Sequence, residues 1–89
     1  MPKSASEYIN LSLQHYKEGE WEKCIEACIA ALNFDPSSAV AYNNICSAYI
    51  QLGDFDRAIL ACNKALALQP DFQLARNNLN SAIKQGQSN

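Results

Sequence analysis

Apolar residues recur along this chain at three- and four-residue spacing, in runs of about a dozen residues that end at glycine or proline. The clearest run holds Tyr42, Ile45, Ala48 and Tyr49, which share one face of a helix. Gly53-Asp54 follows, and a glycine at that point predicts a left-handed stop. A second stripe runs through Phe55, Ala58, Ile59, Cys62, Ala65 and Leu66 to Pro70, whose ring cannot continue a helix and restrains the residue before it. Earlier in the chain the same grammar appears as Tyr8, Leu11 and His15, a break at Gly19, then Trp21, Cys24, Ile25, Cys28, Ala31, Leu32 and Pro36. Asp35 and Ser37-Ser38 offer turn and capping chemistry before the next helix. The pattern predicts helices near 5–18, 22–34, 39–52, 56–68 and 73–85, an all-α fold of about five antiparallel helices.

The two halves of that pattern are copies. Residues 5–38 and 39–72 share ten identities at an offset of 34, among them Tyr8/Tyr42, Gly19/Gly53, Cys28/Cys62 and Pro36/Pro70. Between 39–52 and 73–86, six of 14 positions agree, including Asn43/Asn77 and Asn44/Asn78. A period in the range of 20–50 residues marks a solenoid, in which each unit buries its apolar face against the next. The chain therefore divides into one domain of two units, 5–38 and 39–72, a closing helix 73–85 and a polar tail 86–89.

The large and small residues at this period resemble the tetratricopeptide repeat family. Unit two places Tyr42, Ile45, Cys46, Tyr49, Ala58, Cys62, Ala65 and Pro70 at the family's motif positions. Unit one places Tyr8, Leu11, Ser12, His15, Cys24, Cys28, Ala31 and Pro36 there, departing at His15 for Tyr and Cys24 for Ala. The resemblance implies a right-handed superhelical solenoid and a non-catalytic protein–protein interaction module with a protein or peptide partner. Arg76 stands where Tyr8 and Tyr42 stand, and Asn80 where Ser12 and Cys46 stand, so 73–85 reads as a cap with a polar outer face. Two and a half units is short for such an array. The alternatives are a homo-oligomer that self-assembles as a scaffold, through Ile9, Leu13 and Tyr16 of an uncovered first helix, or a repeat fragment of a larger protein such as a glycosyltransferase-linked repeat protein.

Composition narrows the partner. A formal charge of −2, with seven basic residues scattered from Lys3 to Lys84, gives no patch to displace counterions, so nucleic acid is not expected. No segment approaches the roughly 20 apolar residues of a membrane span, and Met1 to Ser6 carries no hydrophobic signal region, so no membrane insertion and a cytoplasmic location are expected.

In such a solenoid the first helices of successive units line a concave groove. The residues left after the packing stripe is removed include Ile9, Asn10, Leu13 and Lys17, then Val40, Asn43, Asn44, Ser47 and Gln51, then Leu74, Asn77, Asn78 and Ser81. Asn10, Asn44 and Asn78 lie 34 apart, and an amide pairs with a peptide unit as both donor and acceptor. This spacing resembles the asparagine ladder of O-linked N-acetylglucosamine transferase repeats; the same residues also suit caps and bridges between helices. Co-chaperones of the family clamp a terminal carboxylate with Lys, Asn and Arg. At the corresponding places this chain has Ile9, Leu13, Asn44, Leu74 and Asn78, of which Asn44 alone fits. Ile9, Leu13, Val40 and Leu74 favour a ligand with hydrophobic side chains.

The four cysteines all fall on packing stripes, where a thiol behaves as a small hydrophobe. Core packing is the expectation, with no metal, no cofactor and no structural disulfide; Cys28 and Cys46 are the pair placed near enough to oxidise between units. His15, the single histidine, sits on a stripe, and neither a phosphate loop nor a nucleophile motif appears, so no enzyme is expected.

Overall fold

The computed structural model describes residues 4–88. It holds α1 (Ala5–Lys17), α2 (Trp21–Phe34), α3 (Ala39–Leu52), α4 (Phe55–Leu68) and α5 (Gln73–Gln87), with no strand among the described residues. Each helix packs on its successor, and α3 also touches α1 and α5, so the chain is a one-dimensional stack measuring 45 × 28 × 16 Å. This is the all-α helical-repeat solenoid the 34-residue period predicts.

Local chemistry sets the boundaries. Ser4 and Glu7 form a reciprocal capping box at the start of α1. Ser38 caps α3 by accepting from the Ala41 amide at 3.1 Å, and Asp54 caps α4 by accepting from Arg57 at 3.3 Å. Gly19 and Gly53 take left-handed backbone angles, φ 74° and 78°, and turn each hairpin without a Cβ penalty. α5 differs from expectation by running to Gln87, so Gly86 to Gln87 are helical rather than tail. The reason is packing: a Cβ at Gly86 would stand 3.3 Å from the Phe55 Cβ, so the missing side chain lets the last turn lie against α4. The final residue of the expected tail, Asn89, is outside the described residues.

The core is made of small side chains. Ala31, Ala41, Ala48, Ala58, Ala65, Ala75 and Ala82 are fully buried, and the largest fully buried side chains are Ser12 and the four cysteines. Larger groups such as Tyr8, Tyr16, Trp21, Tyr42, Tyr49, Phe55 and Leu79 ring this centre half-buried. Helices that meet through alanine approach closely, and the aromatic rim then shields the seam from water.

One expectation about the cysteines is overturned. Cys46 and Cys62 form a disulfide joining α3 to α4, with Cα atoms 5.5 Å apart. The two residues face each other across the hairpin, at a separation within the range a disulfide spans. Cys46 is therefore not the partner of Cys28. Cys24 and Cys28 remain free thiols, both buried on α2. In the first hairpin the place equivalent to Cys46 is Ser12, which cannot form the bond.

No helix among the described residues is long and apolar enough to cross a membrane.

Candidate functional site

α1, α3 and α5 lie side by side and present one face to solvent. A cavity of about 230 Å³ opens there, lined by Leu13 and Tyr16 of α1, Cys24 of α2, Asn43, Asn44 and Ser47 of α3, and Leu74 and Asn78 of α5. Of the residues expected in the groove, the cavity gathers Leu13, Asn43, Asn44, Ser47, Leu74 and Asn78. Ile9, Asn10, Lys17, Val40, Gln51, Asn77 and Ser81 do not line it. Ile9 instead packs against the core, Asn77 accepts from Gln73 at 2.9 Å, and Ser81 accepts from Gln85 at 2.8 Å.

Tyr16 and Cys24 line the cavity without having been read as groove residues. Tyr16 follows Leu13 by three residues and so shares its side of α1, a signal present in the spacing. Its hydroxyl accepts from Gln51 at 3.3 Å, and its ring stands edge-on to Trp21 at 5.0 Å. Cys24 lies on the packing stripe of α2 and is fully buried, yet it borders the cavity.

The three asparagines at 34-residue spacing do not act alike. Asn78 gives both hydrogens of its Nδ2 to α3, to Asn43 Oδ1 at 2.9 Å and Ser47 Oγ at 3.0 Å. Asn44 turns instead to Ser12 Oγ at 3.4 Å, and Ser12 in turn donates to the Ile9 carbonyl at 2.6 Å. The preceding helix decides the difference. The residues equivalent to Asn43 and Ser47 are Ile9 and Leu13 on α1, whose side chains accept nothing. Asn10 is exposed on α1. Asn43 is 6% exposed, and Asn78 satisfies its carbonyl. Truncating Asn78 would strand that buried oxygen, so Asn78 bridges helices as well as bordering the cavity.

Electrostatics in the cavity is weak. Among the described residues the lining holds amides, hydroxyls, a thiol and two leucines, and no carboxylate, amine, guanidinium or imidazole. The Cys24 thiol is held below its ordinary range by a hydrogen bond from Cys28, while Cys28 is pushed up by Cys24 and by burial. Polar and charged pairs sit at the hairpin turns. His15 Nδ1 lies 2.9 Å from Glu20, which also pairs with Lys23 at 3.2 Å, and Arg57 pairs with Asp54 at 2.7 Å.

The arrangement matches known proteins. Residues 39–72 match the tetratricopeptide repeat family. A search of curated proteins returned no match. Among solved structures, the first tetratricopeptide domain of Spaghetti (RPAP3), bound to the HSP90 peptide SRMEEVD, superposes with a TM-score of 0.90 at 26% identity, over 94% of this chain and 67% of that one. The second such domain of the same protein, bound to the same peptide, gives 0.87 at 22% identity, over 90% and 74%. The TPR2AB domain of yeast Sti1, in complex with an HSP90 peptide, gives 0.85 at 27%, over 88% of this chain but only 30% of that one. Residues 39–72 carry the family's repeat, and the stack from α1 to α5 has the fold of these tetratricopeptide domains.

Proposed function

We propose that the chain is a non-catalytic interaction module that holds an extended segment of a partner protein across α1, α3 and α5. The observation that carries this reading is the cavity on that face, walled by Leu13 and Leu74, whose side chains are 45% and 62% exposed. Apolar side chains standing in water around a polar floor are the usual composition of a binding surface. The solved neighbours add weight, since they are complexes with HSP90 peptides and, for the TPR2B domain of yeast Sti1, an Hsp70 peptide. The groups lining the cavity are hydrogen-bonding amides and hydroxyls, a set suited to recognition.

Site-specific crosslinking tests the reading. A photoreactive amino acid placed at Leu13 or Leu74 should capture the same partner from host lysate. The same group at Leu60, a 64% exposed residue on α4 away from the cavity, should not. Capture from Leu60 alone would move the interaction to another surface.

A further inference from the structure

We infer that the cavity between Leu13 and Leu74 is an anchor site for one bulky apolar side chain on an uncharged segment, and that it disfavours acidic tails. This rests on the groove reading above and specifies its ligand.

Size comes first. At about 230 Å³ the cavity falls below the roughly 300–1,000 Å³ of small-molecule sites, and it suits a single large side chain. Its walls are Leu13 and Leu74, from helices on opposite sides of α3, so a leucine or an aromatic ring inserted between them removes apolar surface from water on both flanks.

The floor then sets the polarity. Both hydrogens of Asn78 Nδ2 are spent on Asn43 and Ser47, and one of Asn44's is directed to Ser12, while the Tyr16 and Ser47 hydroxyls accept from Gln51 and Asn78 and keep their own neutral O–H groups. What the two amides chiefly offer a ligand is their carbonyl oxygens, which accept from the N–H groups of a peptide backbone. A carboxylate taken out of water needs a counter-charge beside such neutral groups.

Among the described residues no cation lines the cavity; the nearest on this face of α1 is Lys17, one helical turn beyond Leu13. A glutamate or aspartate seated there would lose its hydration with no counter-charge, and a lysine or arginine would meet no carboxylate. The peptide SRMEEVD held by the neighbouring structures ends in three carboxylate side chains among its last four residues. The described lining of this groove offers them neutral donors and no cation.

The test is a titration of the ¹⁵N-labelled 89-residue chain with acetylated, amidated octapeptides in a Gln/Ser/Ala background. Peptides with a central Leu, Phe or Trp should shift the side-chain amide signals of Asn44 and Asn78. They should bind about tenfold or more tightly than an Ala-centred version, a version with two Glu beside the anchor, or SRMEEVD itself. Leu13→Glu/Leu74→Glu should abolish those shifts while circular dichroism stays that of the wild type, since both side chains are already exposed. Tighter binding of SRMEEVD or the di-Glu peptide, with shifts at the same amides, would overturn the ligand class and leave the groove reading standing. Shifts confined to α2 and α4 would overturn both. No shift from any apolar-centred peptide would overturn the anchor site, and the crosslinking experiment would then judge the groove independently.

Discussion

The hairpins α1–α2 and α3–α4 share turns, lengths and many residues, yet they solve different problems. Both turn on a left-handed glycine and both bury an Ile and three or more small residues on the second helix or across the seam. They differ where the stack surrounds them. α3 has neighbours in α1, α2, α4 and α5, whereas α1 packs mainly on α2. Accordingly Ala41 and Ala48 of α3 are fully buried, and their equivalents on α1 are Glu7 and Gln14, both exposed. The cross-helix pair also differs, being a disulfide in α3–α4 and Ser12 with Cys28 in α1–α2. Position within the stack, rather than the repeat itself, sets how polar a side chain is tolerated.

The largest effect should come from forcing one hairpin's residue onto the other. Ala41→Glu puts a charge into a fully buried place and should cost about 3–5 kcal/mol, as an unpaired buried charge does. Gln14→Ala, the opposite exchange on α1, should stay within about 0.5 kcal/mol. Urea unfolding followed by circular dichroism measures both, and equal losses would erase the distinction between the helices.

Next comes the covalent difference. The Cys46–Cys62 bond closes a span of 16 residues, and its reduction should remove about 3 kcal/mol. Ser12→Cys should give the first hairpin a second reducible bond, to Cys28, visible by mass after alkylation. Failure to form it would mean that α1 and α2 do not approach as α3 and α4 do.

The smallest effect concerns the turns. Glu20 is held below its ordinary value of 4.5, first by the hydrogen bond from His15 and then by Lys23. A carboxyl lowered in the fold adds stability above its unfolded pKa, and that part disappears as pH falls through the folded value. Thermal melts of the wild type should therefore decline below about pH 4.5 more steeply than those of Glu20→Gln. Parallel curves would show that the pair contributes nothing measurable, a common result for exposed pairs.

Much of the fold was legible because its signals are local. Apolar spacing placed all five helices, Gly19 and Gly53 placed the turns, and Ser38 supplied the expected cap. The disulfide escaped because the 34-residue comparison runs along the chain, while Cys46 and Cys62 meet across a hairpin. The groove was partly legible. Periodicity found Leu13, Asn44, Leu74 and Asn78, but not the use Asn78 makes of its hydrogens, because its acceptors lie 35 and 31 residues back and have no polar equivalent on α1. Cys24 escaped because a buried residue on a packing stripe can still border a cavity lined mainly by other helices.

The small-residue interior has a consequence for how such a chain tolerates change. Where a core is built of leucine and phenylalanine, most substitutions remove volume and leave a hole. Here the fully buried side chains are alanine, serine and cysteine, so nearly every replacement adds atoms and pushes helices apart. Damage in this molecule is chiefly wedging. Variation can accumulate on the rim and along the exposed helix faces, while the seam permits almost none.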